Sequence, residues 1–510
     1  MNNERQNTPA QVASEQDQAA NKSANGTSVN DAQEQSANGT SVNGASDADA
    51  SNASKESAND TQGQDKSTET QTKVRKVKQK SKNEAKKKRD AREQKNDLAP
   101  LEEERIFANK KNVLRFVLFL AALVIAVFSI SYGVYHIGNK EAGTYLVETD
   151  ADSSLPLYAS GISLHYTLTG SGSQNKATLA ALKADYTALL KQTYKMLDAE
   201  NLYPDTVNVA AVNQRAGEEV RVSEELYAVL ADAYAKTRER EGYNMFAGPL
   251  RQLRSAFTDS FSAGSDDPLL NEDQRLLSER LTALLFDPDA CAFAMNEATH
   301  SVKLTVSADL TALLDEYGIE APILDLDLLH DAYRVGILAA ELEKRGYRQG
   351  YLTTDSGISV LLAEQTPAQY LFYSLSDSGG AERSASVAAA AGTAACFSRI
   401  FAAAEGEIGF YTVKDGDKIV YRHRYMPYFT SEQPVAAVMT IAEHERVADA
   451  CYLNIRMLAA GTVGEAENIV ETAENLRVLW QSSDGQKILR SESGEGILVD
   501  TDAGYQLETP

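Results

Sequence analysis

One stretch of this chain limits its architecture more than any other. VLRFVLFLAALVIAVFSISYGVY, Val113 to Tyr135, carries a single charge, Arg115, close to its start. At about 1.5 Å per residue, a helix of this length crosses a hydrocarbon core of roughly 30 Å. It begins too far along the chain, and its apolar core is too long, for a cleaved signal, so a transmembrane helix over 113–135 is expected. Lysines and arginines crowd its N-terminal flank, whereas beyond Lys140 the C-terminal flank turns acidic. The positive-inside rule then puts residues 1–112 in the cytoplasm and the remainder outside a cell membrane crossed once.

The two sides differ in chemistry. Residues 1–72 are Asn, Ser, Ala, Gln, Gly and Asp with almost no large apolar side chain, and SANGTSVN occurs at Ser23–Asn30 and again at Ser36–Asn43. Such a segment has too little apolar surface to offset the entropy of ordering, so a disordered low-complexity tail is expected. Residues 73–112 form a basic juxtamembrane segment that includes KVRKVKQKSKNEAKKKRDAREQK. This block has no aromatic side chain to stack on bases and adjoins the span, which favours anionic lipid headgroups over nucleic acid. The whole chain, 510 residues, has a formal charge of -23, nearly all of it on the outer side. An acidic outer face argues against polyanionic partners. The three cysteines, Cys291, Cys396 and Cys451, lie far apart, with neither disulfide-framework nor thiolate-metal spacing, and are read as small buried apolar residues.

After a tether (136–156), residues 157–510 are long enough for one large domain. Apolar residues recur at three and four in Lys176–Glu200, which predicts an amphipathic helix. Ser223 and Glu225 read as the cap and first turn of another, running to Arg240. Further helices are expected at Asn271–Leu285, Leu329–Arg345, Ser384–Ala404 and His444–Ala460. Strands are expected at Ser163–Leu168, Ala292–Thr305, Gly350–Leu362 and Val435–Ile441. Asp415–Gly416 between two alternating runs marks a hairpin, Gly409–Val413 with Lys418–His423. Short strands around turns are expected near the C-terminus. Helices interspersed with antiparallel strands make an α+β domain.

Four pieces, taken in order from Gly161 to about Gly461, carry a resemblance. VAAVNQRAGEEVRVSEELYAVLADAYAKTRER is followed by GYNMFAGPL; then come LDLDLLHDAYRVGILAAELEKRGYRQGYLTTDSG, YRHRYMPYFTSEQP and AAVMTIAEHERVADACYLN. Their order and spacing, more than any single motif, resemble the FAD:protein FMN transferase family, the ApbE-like proteins. Asn213, Val222, Ser223, Leu226, Gly242, Gly248, Pro249 and Leu250 stand at matching places in the first piece. The second is similar to L-D-L-G-G-I-A-K-G-Y, a helix, and a strand ending in G-G-D or G-G-N. The third resembles H-I-I-D-P-x-T-G-x-P, and the fourth S-V-T-V-x-A followed by A-D-A-x-x-T.

The resemblance implies a magnesium-dependent transfer of FMN from FAD to a threonine of a flavin-accepting extracytoplasmic protein, with AMP leaving. Magnesium there would neutralise charge developing on phosphate. Carried over residue by residue, it implies a metal held by Asp449 and the backbone carbonyl of His330. FAD contacts would come from Asp325, Tyr333, Gly357 and Thr393, and His423 would be the motif histidine in the catalytic centre. The motifs also depart from the family. Leu453 replaces the metal-ligating threonine, and a hydrocarbon cannot coordinate magnesium. Asp327 and Leu328 replace two glycines that let backbone approach a ligand closely. Asp331 replaces a lysine, Met426 an aspartate, and Phe429–Thr430 a Thr-Gly pair. Two functions follow: an FMN transferase anchored in the membrane, or a catalytically inactive binding or scaffold domain of the cell envelope with the same fold.

Overall fold

A computed structural model describes residues 140–149, 161–239, 242–258, 271–404, 406–415, 418–424 and 433–509. The expected tail, basic segment and membrane span fall outside the described residues. Among those described, no helix is long and apolar enough to cross a membrane.

The described chain starts as an antiparallel pair, β1 (Gly143–Leu146) and β2 (Ile162–Leu168), so part of the expected tether is an edge strand. Alternating burial along β2 shows one face turned into the core. Helices α1 (Gly172–Leu197), α2 (Val209–Gln214), α3 (Glu224–Glu239), α4 (Gly248–Thr258) and α5 (Glu272–Leu285) follow, with the short strand β3 (Val220–Arg221) before α3. Their starts are written in the sequence. Asn208 accepts a hydrogen bond from the Ala211 N–H (3.0 Å), Ser223 from Leu226 (3.1 Å), and Asn271 from Asp273 and Gln274. A hairpin, β4 (Cys291–Asn296) and β5 (Ser301–Val306), pairs with β3 and leads to α6 (Ala308–Tyr317), which Gly318 closes in left-handed conformation.

A 3₁₀ turn, Asp327–Leu329, runs into α7 (His330–Lys344). Then come β6 (Gly350–Thr354), β7 (Ile358–Leu361), β8 (Ala368–Leu375), β9 (Ala381–Ala389) and β10 (Thr393–Arg399). The hairpin β11 (Phe410–Asp415) and β12 (Lys418–His423) precedes β13 (Val435–Glu443), and α8 (Val447–Ala459) and α9 (Val463–Glu471) follow it. The strands β14 (Arg477–Ser482), β15 (Ile488–Ser491), β16 (Ile497–Val499) and β17 (Gln506–Glu508) come last among the described residues. One sheet of nine strands, ordered β1-β2-β6-β7-β10-β13-β14-β15-β17, organises the domain, antiparallel throughout except for β15 with β17. The α+β expectation holds.

Two layers sandwich the centre of this sheet. On one face, α8 lies against β10 and β13: Asn454 accepts from the Thr440 hydroxyl (2.7 Å) and donates to the Cys396 carbonyl (2.9 Å). On the other, the small sheet β16-β9-β8 packs, with Phe372 of β8 edge-on to Phe397 of β10 (5.5 Å between ring centroids). Covered on both sides, β13 buries every residue from Val435 to Ala442. All three cysteines are buried and free.

The helix expected at Ser384–Ala404 is a correction. That run forms β9 and β10, with a turn between them. Alanine favours helix in isolation, but here its small side chain lets flanking layers close on a central strand, and packing overrides propensity.

Candidate functional site

The turn Leu324–Asp327 is held in place from two directions. Asn213 at the end of α2 receives the Leu324 N–H on its Oδ1 (2.8 Å) and donates through Nδ2 to the Leu324 carbonyl (2.8 Å). Gly248 at the head of α4 passes so close that an added Cβ would meet the Pro322 carbonyl oxygen at 1.9 Å. Two residues matched in the first motif thus fix the second. Within the turn, Asp325 Oδ1 accepts the Asp327 N–H (2.9 Å), and Asp327 sits at φ +42°. This left-handed geometry suits glycine, and aspartate tolerates it better than most residues. Asp327 thus takes a backbone conformation suited to glycine while carrying a carboxylate.

Both carboxylates of the turn face guanidinium groups of α4. Asp327 ion-pairs with Arg254, which is 1% exposed, and Asp325 Oδ2 lies 3.4 Å from Arg251 Nε. Burial, then the Asp327 charge, pushes the Asp325 carboxyl above its ordinary range, against the opposing pull of Arg251. Burial opposes the Arg251 charge, yet Asp325 and Glu200 hold its affinity for a proton above the usual value. Arg251, Glu200, Asn213, Gly248 and Glu320 line a cleft of about 1080 Å³ on this side of the turn.

His423, at the end of β12, is near this cluster but enclosed. It is 1% exposed, and neither ring nitrogen has a hydrogen-bond partner among the described residues. Burial first, then the Arg422 and Arg254 charges, lowers it to about 3, so the ring is neutral. Its motif companions Met426, Phe429 and Thr430 fall outside the described residues.

A second cluster lies where α3, α7 and α8 meet. Tyr333 on α7 donates its hydroxyl to Asp232 Oδ2 (2.7 Å) on α3. Asp232 Oδ1 accepts from Lys236 Nζ (2.6 Å), and the same ammonium reaches Asp449 Oδ1 on α8 (2.9 Å). Asp449 Oδ2 accepts from Arg446 Nε (3.0 Å). Burial would raise the Asp449 carboxyl, but Lys236 and Arg446 hold it below the ordinary value. For Lys236 burial is likewise overcome, by Asp232 and Asp449, and its proton is held more tightly than usual. Tyr243 bridges the two clusters: its hydroxyl donates to the Leu326 carbonyl (3.2 Å), and its ring meets Tyr452 of α8 edge-on.

The remaining residues divide. His330 opens α7, with Nδ1 3.4 Å from Asp331 Oδ1. Its carbonyl, first in the helix, points along the axis into the hydrogen-bond ladder. The Asp331 carboxyl is held low, against burial, by His330 and by a hydrogen bond from Ser356, so the start of α7 touches the β6–β7 turn that contains Gly357. Gly357 takes φ +89° there and accepts the Phe397 N–H (2.8 Å). Thr393 is elsewhere. Four residues from Phe397 along β10, roughly 13 Å at strand rise, it pairs with Glu443 and donates its hydroxyl to the Ala390 carbonyl (2.7 Å).

These residues do not fit a magnesium ion. Each of the four oxygens of Asp232 and Asp449 already has a donor, and the net charge of the Asp232, Lys236, Asp449 and Arg446 group is balanced. Leu453 is buried hydrocarbon. Among the described residues no group of three His, Cys, Asp or Glu side chains is arranged to hold a metal. Of the cluster members, Asp232, Lys236, Arg446, Arg251 and Arg254 were not anticipated as site residues. The spacing of Asp232 and Lys236, four apart on a helix, was the available signal.

No protein-family profile matches the sequence, and no curated protein matches it. Solved structures do match. The chain is similar to ApbE flavin transferases. The flavin transferase ApbE of Vibrio cholerae is 12% identical, with 71% of this chain and 97% of that chain covered and a TM-score of 0.44. The ApbE protein of Thermotoga maritima is 15% identical over 68% of this chain and 96% of its own, with a TM-score of 0.45. For the flavinyl transferase ApbE of Pseudomonas stutzeri, in its apo form, the values are 13%, 71%, 94% and 0.41.

Proposed function

We propose that this chain is a single-pass membrane protein whose extracytoplasmic ApbE-like domain is a non-catalytic binding or scaffold module of the cell envelope. The charge asymmetry about residues 113–135 supports the topology, and the order of the four sequence pieces supports the lineage. One observation carries the loss of activity. Asp327 occupies a glycine's place with a glycine-like backbone, yet it adds a carboxylate there that is tied to the buried Arg254. A pyrophosphate arriving there meets a carboxylate in place of a bare backbone, and both guanidinium groups at the turn, Arg251 and Arg254, already face carboxylates.

A second reading, an FMN transferase, is favoured by the cleft beside Arg251 and by the retained Asp325, Tyr333 and Asp449. The full-length protein, incubated with FAD and magnesium at high micromolar FAD and freed of unbound nucleotide, separates the two. No flavin absorbance should remain with the protein. Flavin retained without transfer overturns the argument from Asp327, and FMN joined to a threonine of an extracytoplasmic protein restores the transferase.

A further inference from the structure

The second cluster has the composition of a cation site whose cation is covalently part of the protein. Lys236 Nζ lies between Asp232 Oδ1 and Asp449 Oδ1, at 2.6 and 2.9 Å, and 5.8 Å from the centre of the Tyr452 ring. Its side chain is 7% exposed. An ammonium so enclosed must recover its lost hydration from fixed oxygens and aromatic faces, and these are the groups around it. The outer oxygens are closed as well, by the Tyr333 hydroxyl and the Arg446 guanidinium.

We propose that the Lys236 ammonium is the resident cation of this position and excludes a divalent metal from the Asp232–Asp449 pair. This inference deepens the non-catalytic reading. Entry of magnesium would place two further positive charges beside Lys236 and Arg446, where the carboxylates are already neutralised. It would also displace donors from both aspartates. Magnesium sheds its own water reluctantly, so it gains little in return. The lysine serves a second purpose that a metal cannot, because it joins α3 to α8 independently of ion supply.

The test uses full-length protein and Mn²⁺ as the probe, read by the loss of free-ion electron paramagnetic resonance signal and by thermal unfolding. The quantity compared is the binding that Asp449→Asn abolishes. Wild type should have none at millimolar Mn²⁺. Lys236→Ala should gain it, with an affinity more than about tenfold tighter than the millimolar limit at which wild type has none, once the adjacent positive charge is gone, and Mn²⁺ should raise its thermal midpoint. If Lys236→Ala does not fold, Lys236→Gln supplies an uncharged side chain of similar length carrying an amide oxygen, and should show the same gain. Asp449-dependent Mn²⁺ binding in wild type overturns the proposal. Its absence from the folded lysine variants does so too, because the lysine is then not what excludes the metal. Flavin retention plays no part in this readout, so failure here is distinct from failure of the non-catalytic reading.

Discussion

Replacing Asp327 by alanine perturbs the turn Leu324–Asp327 in two separable ways. The first is loss of a charged contact to Arg254, a side chain 1% exposed. Hydrogen bonds to charged groups contribute about 1.5–3 kcal/mol. The second is conformational, because at φ +42° an alanine keeps its Cβ without the local bonding that lets aspartate tolerate this region. That adds about 1 kcal/mol, for a total of about 2.5–4 kcal/mol. Asp327→Gly loses the contact but not the backbone fit, so it should be the less damaged variant. The gap between the two should be under about 1 kcal/mol, because glycine also loses more chain entropy on folding. Urea unfolding followed by tryptophan fluorescence measures both, since Trp480 is the sole tryptophan and is buried at 2% exposure in the central sheet. An alanine variant within 0.5 kcal/mol of wild type, roughly the ordinary surface range, would refute the stabilising contribution of this ion pair. A glycine variant less stable than alanine would refute the backbone part.

Two further outcomes follow from the same geometry. His423 has a depressed value in the folded state, about 3 against 6.5 ordinarily, so the unfolded chain takes its proton first as pH falls. Its contribution is complete above 6.5 and declines by up to about 1.4 kcal/mol per pH unit on the way down. His423→Phe should therefore flatten the stability profile over that window, as measured by urea midpoints at a series of pH values, and an unchanged slope counts against enclosure of the ring. Gly248→Ala sets a Cβ against the Pro322 carbonyl oxygen at 1.9 Å and should cost about 1–3 kcal/mol or more; a thermal midpoint equal to wild type would mean that the contact is easily relieved.

Much of the fold was legible because local signals and burial agree. The capping residues Ser223 and Asn271 mark helices that pack, and Asp415–Gly416 separates two strands that pair in register. The Ala-rich segment misled because the requirement for small side chains on β10 comes from two layers far away in sequence, not from its neighbours. The site divided the same way. Asp325, Tyr333 and Asp449 could be singled out by motif, but the groups that pair with them could not. Lys236 looks like half of an ordinary surface pair with Asp232 until the fold brings in Asp449 from 213 residues away. Arg254 likewise reads as a polar helix residue, and only the close approach allowed by Gly248 puts it under the acidic turn.

The order of the nine-stranded sheet has a geometric outcome. Its first strand in sequence, β1, and its last, β17, are its two opposite edges. Eight inter-strand steps of about 4.8 Å separate them, about 38 Å across the pleated surface. Labels on Thr144 of β1 and Leu507 of β17 would therefore span the full breadth of the sheet. A change in their separation would report on the twist of all nine strands together, because every inter-strand step lies between them.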